Sequence, residues 1–507
     1  MMLARLAAVF LSVGLATAVH PYEFSFLTTN STPVALNIST CSSSFTSSHP
    51  LILATPYGKG VSSPGPTIYD ASGAVVWHAP EWGVAHDMNV QTLRGQPVLA
   101  FWTGVEIKTG WVNGTVVLLD KSYSVVGMVA ARAPYRADFH EFEILRSDDD
   151  TAVLTSYNRI SANLSAIGGP AEGYVLDSLV QIVTLDGSDS LRFNWSAWEH
   201  LPLNETYALP GTRGDGTLDS PLDVAHINAV DVSADGRSIL MSSRHYQQLI
   251  KVDRATGEVV WRMGGMKSDF TFGPGAEFHF QHHGRWHENG RAISVFDNGA
   301  SDWEVIEPTA RGIYLSVNEK TRHVELVREW LPLYRNITKM MGDVQVLLPG
   351  GNVWIDFGTN PWMMEQTWDG EMLFWATLGP NEPSEANGPI GSDRVFRTTE
   401  WVGEPAAPPA MAVAQRLNGA GTEVYVSWNG ATTVTEYELH AGASPQSMTV
   451  VARTAKAGFE NAFLLSQPEP QFVLAVALGQ KGKELGRTGV YDVADGLRVS
   501  DGRVARI

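Results

Sequence analysis

Residues 226–265 read HINAVDVSADGRSILMSSRHYQQLIKVDRATGEVVWRMGG, and residues 281–299 read QHHGRWHENGRAISVFDNG. The two segments follow one design. A histidine opens each, His226 and His282. An alternating stretch then leads to a turn, Ala234-Asp235-Gly236 in the first and Glu288-Asn289-Gly290 in the second. Asp-Gly and Asn-Gly are tight-hairpin signals, with both turn residues expected at positive φ. The chain returns from each turn and reaches Leu240 or Phe296 fourteen residues after the histidine. Between the copies, Gly257–Trp261 forms another short strand pattern.

The design recurs. His140 is followed by a turn in 146–150 and by Leu154, and Asp343 by Pro349-Gly350-Gly351 and Phe357, both at the same offset of fourteen. A weaker copy starts at His86, turns near Gly95-Gln96-Pro97 and returns through Val98–Trp102. The tryptophan strand recurs at Trp77 and Trp375, and more loosely at Trp195 and Trp330. Repeats of this length, built of short strands and hairpin turns, predict an all-β chain of propeller blades. Histidines at one repeat position would converge on the axis. Residues 51–400 hold the repeats, and Leu201–Asp223 reads as a long insertion over one face. Pro405, Pro408 and Pro409 mark a boundary. Beyond it, Val424, Val426 and Trp428 alternate, which predicts a small β-sandwich over 405–507 with Trp428 in its core.

Residues 1–18 have the form of a cleaved signal peptide: Arg5, the apolar run 6–15 and a small-residue site ending at Ala18. The propeller is expected over 19–404, with 19–50 forming a lead-in strand and an irregular segment. Seven Asn-X-Ser/Thr sites (Asn30, Asn37, Asn113, Asn163, Asn194, Asn204 and Asn336) fit a secreted glycoprotein. The lone cysteine, Cys41, allows no internal disulfide and reads as a small buried or loop residue. A net charge of −18 without a basic cluster disfavours nucleic acid and anionic membranes as partners.

The motifs His226-Ile227-Asn228, Ser242-Ser243-Arg244, Gly257-Glu258-Val259-Val260-Trp261, Gln281-His282-His283 and Phe296-Asp297-Asn298-Gly299 resemble the arylsulfotransferase family, in its secreted fungal branch. Asp138-Phe139-His140 and Ser427-Trp428-Asn429-Gly430 resemble it too. The resemblance implies a six-bladed β-propeller, of which five repeat copies are visible. It also implies transfer of a sulfuryl group between phenols through a histidine-bound intermediate. The expected partner is therefore a small aromatic or natural-product molecule, bound by a monomer without a cofactor.

Such transfer needs a nucleophile, donors for the sulfuryl oxygens and an acid for the departing phenolate. His140, His226, His282 and Arg244 supply that set. Carried over motif by motif, the resemblance makes His282 the nucleophile. His226 and Arg244 then grip the oxygens, and His140 acts as acid, base or donor. Asn228, Asn298, Glu365 and Asp297 are candidates to orient the imidazoles. His245, His283 and His287 are expected on the opposite face or at the turn, as structural residues. Two other readings use the same residues. His86, His140, His226 and His282 could ligate a metal ion, although Arg244 would repel the cation. Alternatively, an axial pocket could guide a cofactor-free cyclisation, such as a hetero-Diels–Alder reaction in secondary metabolism.

The leader and the sequons give the first prediction. Protein expressed in a eukaryotic host should be secreted, and enzymatic removal of N-glycans should raise its gel mobility. Unchanged mobility would contradict it.

Overall fold

The computed structural model describes residues 22–42, 45, 49–108, 111–188, 190–335, 337–347, 351–379, 390–399, 401–416, 421–465, 469–500 and 503–504. The expected leader and Asn336 lie outside them. The other six sequon asparagines are exposed. The chain divides into two compact units, 33–404 and 405–507, the latter joined by the residues up to Thr32.

The larger unit is a β-propeller. Its longest α-helix among the described residues is Ala197–His200. Consecutive strands form antiparallel meanders: Ala85–Leu93 to Val125–Val129, Ala137–Leu145 to Leu191–Ser196, Ile227–Val232 to Val259–Gly264, His282–His287 to His323–Trp330, and Asp343–Leu347 to Met372–Leu378. Another meander joins Leu51–Ala54, Thr67–Asp70 and Val75–His78 to the late strand Phe396–Thr398, which pairs beside Leu51–Leu53. Leu36–Cys41 extends the sheet that ends in Met372–Leu378. Both ends of the unit are thereby stitched into sheets of distant sequence. Cys41 is exposed at the end of its strand.

Apolar side chains fill the seams between meanders. Trp77, Trp195, Trp261, Trp330 and Trp375 are all buried there. The turns do what the sequence requires with one difference. Gly236 takes φ 70° while Asp235 keeps negative φ, so only the glycine needs left-handed freedom there. In the second copy Asn289 and Gly290 are both left-handed, at 55° and 84°. The offset of fourteen is a Cα pairing only for His282 and Phe296. Bulges shift the register beside His86, Ile227 and His282, whereas Asp343 pairs with Asp356 in a regular ladder.

The innermost strand of each meander has its ladder on the outer side, apart from one pairing of Ala137 with Gly114 of the preceding meander, which leaves backbone groups on its inner edge to be satisfied. Side chains from the preceding first strand supply the partners. Gln91 accepts from Ile144 N at 2.6 Å and donates to Phe142 O at 2.8 Å. Glu141 accepts from Val230 N at 3.0 Å, and Asp231 from Trp286 N at 2.6 Å. His283 Nδ1 lies against Val344. Gln345 accepts from Arg397 N and donates to Arg397 O, both at 2.9 Å.

Arg394 sits inside this girdle. Its guanidinium donates to Asp87 at 3.0 Å and to Asn228 O at 2.7 Å, and lies 3.5 Å from Glu141. Burial opposes its charge, but Asp87 and Glu141 outweigh burial and hold its pKa above the ordinary value.

The 405–507 unit has two sheets. One contains Ala410–Arg416 and Thr422–Ser427, the other Glu436–Gly442 and Phe472–Leu478. Val424, Val426, Tyr437, Leu439, Val473 and Ala475 share one core. Trp428 is half-buried at its edge and donates to Ala407 O at 2.7 Å. Residues 22–32 belong with this unit, whereas the sequence placed all of 19–404 in the propeller. The reason is a set of contacts distant in sequence: Glu460 accepts the amides of Leu27 and Thr28, at 2.9 and 2.8 Å, and the Phe26 and Phe459 rings pack tilted with centroids 4.5 Å apart.

Arg394→Met removes one partner of a buried ionic cluster, which costs about 3–5 kcal/mol. Urea unfolding followed by tryptophan fluorescence should register that loss. A change under about 1 kcal/mol would show that the Arg394 network is dispensable.

Candidate active site

The inner strand Ala137–Leu145 presents Asp138 and His140 on one face, because side chains alternate along a strand. His140 Nδ1 donates to Asp138 Oδ2 at 2.7 Å, and Thr155 donates to the same oxygen at 3.0 Å. The next inner strand follows His226, which adopts φ 53°. A non-glycine residue held there stores about 1–3 kcal/mol of strain. His226 Nδ1 donates to Asp223 Oδ2 at 2.5 Å, with Tyr157 Oη 3.1 Å away. The His140 and His226 rings meet edge to face, with centroids 4.6 Å apart. Neither Nε2 carries a hydrogen bond among the described residues.

Arg244 follows the strand Ser238–Ser243, and its amide donates to His226 O at 3.0 Å. Its guanidinium lies over Trp303 and Phe280 at 5.4 and 5.8 Å. One arm donates to Lys339 O at 2.8 Å and another contacts His245 Nε2 at 2.9 Å. That contact settles the His245 tautomer. Its Nδ1 must donate to the carbonyl of Asp223 at 2.7 Å, so Nε2 accepts from Arg244. His245 is therefore a neutral, fully hydrogen-bonded support that stacks on His226 at 4.8 Å. The expectation that it faces away from the cluster is corrected, because the chain turns at Arg244 instead of continuing the strand. His283 and His287 stay outside the cluster, against Val344 and Ser294.

His282 has an equally determined state. Asn298 Nδ2 donates to the carbonyls of Thr338 and Met341 at 3.0 and 3.1 Å, so its Oδ1 faces His282 Nδ1 at 2.7 Å. Nδ1 carries the proton, and Nε2 accepts from the Met341 amide at 3.1 Å. The segment 338–341 thus lies on both His282 and Arg244.

Charge follows from burial and partners. For His140, burial opposes the charged ring, but Asp138 outweighs it and raises the pKa above 6.5. His226 and His282 fall well below 6.5, through burial first and then nearby cations, including Arg244 for both. Burial lowers Arg244 to about 9, with Arg213 adding to the effect. The site therefore pairs one readily protonated imidazole with two neutral ones beside a guanidinium.

Of the proposed orienting residues, Asn298 alone touches an imidazole. Asn228 donates to Gln281 O, Glu365 pairs with Arg397 and Asn352, and Asp297 pairs with Arg311. The carboxylates that hold imidazoles are Asp138 and Asp223. Asp138 was legible as an i, i+2 partner in a strand. Asp223, beyond any strand period from His226, was not, nor was Arg213 in the insertion. The metal reading meets a different arrangement. The groups close enough to share an ion are Asp223, His226 and His245. Both nitrogens of His245 are already engaged, and Arg244 donates into the group, so these residues do not fit a cation. His86 stands apart from that group, stacked on Phe139 at 4.5 Å.

The family model for arylsulfotransferase (ASST) matches residues 89–379. That is more than half of the 507 residues, and the chain belongs to the arylsulfotransferase family. No curated protein matches the chain. Among solved structures it is similar to the Cps50 (Swd1) β-propeller domain of Myceliophteria thermophila: 14% identity, 69% of this chain and 91% of that one, TM-score 0.37. It is also similar to the periplasmic gluconolactonase PpgL of Pseudomonas aeruginosa: 13% identity, 83% and 99% coverage, TM-score 0.35.

The His140–Asp138 pair makes a pH prediction. A folded pKa raised above 6.5 means that the charged ring contributes stability below about pH 6.5. That contribution is lost as pH rises through the folded value. Histidine NMR should find the His140 ring titrating above 6.5, and Asp138→Asn should bring it down. A His140 that titrates below 6.5 in the unaltered protein would contradict the assignment.

Proposed function

We propose that this protein is a secreted, glycosylated aryl sulfate sulfotransferase. It would be a six-bladed propeller with a C-terminal fibronectin-like sandwich, moving a sulfuryl group between phenolic small molecules through His282. Family membership supports the transferase class. The meanders number six among the described residues, and we read each as a blade. The observation that carries the mechanism is the pairing of a carboxylate-backed His140 with an amide-backed His282. Asn298 holds the proton on Nδ1 of a neutral His282, leaving the Nε2 lone pair as nucleophile.

In the first half-reaction Nε2 attacks the sulfur of the donor. The N–S bond forms as the aryl O–S bond breaks, and protonated His140 gives its proton to the departing phenolate. His226 and Arg244 hold the sulfuryl oxygens. In the second, the acceptor phenol attacks the sulfur, the N–S bond breaks, and the phenolic proton returns to His140. No outside reagent is consumed. The Met341 amide must release Nε2 before the attack.

That same hydrogen bond favours one alternative, a cofactor-free natural-product cyclase in which the cluster only donates and accepts hydrogen bonds. The two readings separate at His282. Under sulfuryl transfer, exposure to an aryl sulfate should leave a sulfonated His282 peptide in the mass spectrum. His282→Ala should lose both that adduct and turnover. A protein that turns over substrate without an adduct, with activity surviving His282→Ala, belongs to the second reading.

A further inference from the structure

The insertion delivers a second buried arginine to the cluster. Arg213 pairs with Asp302 at 2.9 Å and points the same nitrogen at Met340 Sδ, 2.8 Å away. Arg244 stands over Trp303 and donates to Lys339 O. The two guanidiniums are therefore held by adjacent residues on both sides: Asp302 and Trp303 on one, Lys339 and Met340 on the other. Their Nε–H groups are buried, and neither has a hydrogen-bond partner among the described residues. A thioether is a weak acceptor for an arginine N–H. Asp302 is about one-third exposed, whereas Arg213 is nearly buried. The site thus holds more guanidinium donors than good acceptors.

We propose that Arg213 and Arg244 together form a two-guanidinium seat for a tetrahedral oxyanion, with Asp302 the resting counter-ion that the anion displaces. This rests on the sulfuryl-transfer reading and adds Arg213 as a substrate-binding residue supplied by the insertion. Two planar forks with free N–H groups suit the three terminal oxygens of an aryl sulfate. The exchange costs little charge, because the incoming anion replaces a carboxylate. It also transfers Arg213 from a weak sulfur contact to oxygen.

The test uses inorganic sulfate with the full chain, by titration calorimetry at constant ionic strength, so that it reads binding without turnover. The unaltered protein should bind sulfate. Arg213→Met should weaken binding about ten- to a hundredfold, the range of one or two charge-assisted hydrogen bonds. Arg213→Lys should recover part of it. Asp302→Asn should bind at least as tightly as the unaltered protein. Near-UV circular dichroism checks that each variant is folded. If Arg213→Met is misfolded, the Lys and Asn variants still decide. Absence of sulfate binding in the unaltered protein overturns the seat. So does equal affinity in a folded Arg213→Met, or an Asp302→Asn that loses binding as Arg213→Met does. Aryl sulfate turnover is measured separately. Sulfate binding that depends on Arg213 without transfer would leave the seat standing and remove the transfer reading. Transfer with Arg213-independent binding would do the reverse.

Discussion

The inner edges of the first strands set the terms for the rest of the propeller. Sheets that radiate from an axis cannot pair their innermost strands with one another, so those backbone groups need side chains as partners. Gln91, Glu141, Asp231, His283 and Gln345 each reach to the next first strand to supply them. The result is a polar girdle where an ordinary core would be apolar. Arg394 offsets the charge of its carboxylates Asp87 and Glu141. Because each first strand is pinned by its predecessor, the histidines that open those strands are held in a fixed relation to one another.

Burial also decides what the histidines can do. All three lose solvent, which by itself favours the neutral ring. His140 is the exception because its partner is a carboxylate with a hydroxyl behind it. His282 has an amide partner instead, and an amide fixes a tautomer without adding charge. His226 has a carboxylate too, yet burial first, and then the charges of His140, Arg244 and Arg213, keep its pKa well below 6.5. The difference between Asp138 and Asn298 is thus what divides acid from nucleophile in the proposed chemistry. The repeat supplies equivalent positions, and the partner of each histidine breaks the equivalence.

The sequence disclosed what depends on period and spacing. Alternation and hairpin turns revealed an all-β chain, and the repeat of His140, His226 and His282 located the cluster. Arg244 followed because a hairpin brings its ends together, and its amide does bond His226 O. What escaped has no period. Asp223 and Arg213 arrive on an insertion whose path is set by contacts with the finished propeller. His245 fell on the wrong face because alternation was extended past the end of its strand at Ser243. Asn228 is a motif residue, yet its side chain serves the backbone of Gln281. Glu460, far away in sequence, draws residues 22–32 to the C-terminal unit by accepting two amides, and no local pattern encodes such a partner.

The segment 338–341 closes on the cluster with hydrogen bonds that the proposed chemistry would have to open. Lys339 O takes an Arg244 donor, Met341 N occupies the His282 lone pair, and Asn298 holds Thr338 and Met341 by their carbonyls. The bonds made by Met341 N and Asn298 join neutral groups and are each worth only about 1 kcal/mol net, whereas the Arg244–Lys339 bond has a charged donor and is worth about 1.5–3 kcal/mol. An anionic substrate would add charge on the acceptor side as well, which the neutral Lys339 carbonyl lacks. The exchange therefore favours the anion at Arg244. In the proposed chemistry, release of Lys339 would free the neighbouring Met341, whose amide occupies His282 Nε2. A neutral phenol has no such advantage over the Lys339 carbonyl. In the proposed chemistry, an order of anionic donor first and neutral acceptor second is in this way favoured by the hydrogen bonds that the site makes to itself.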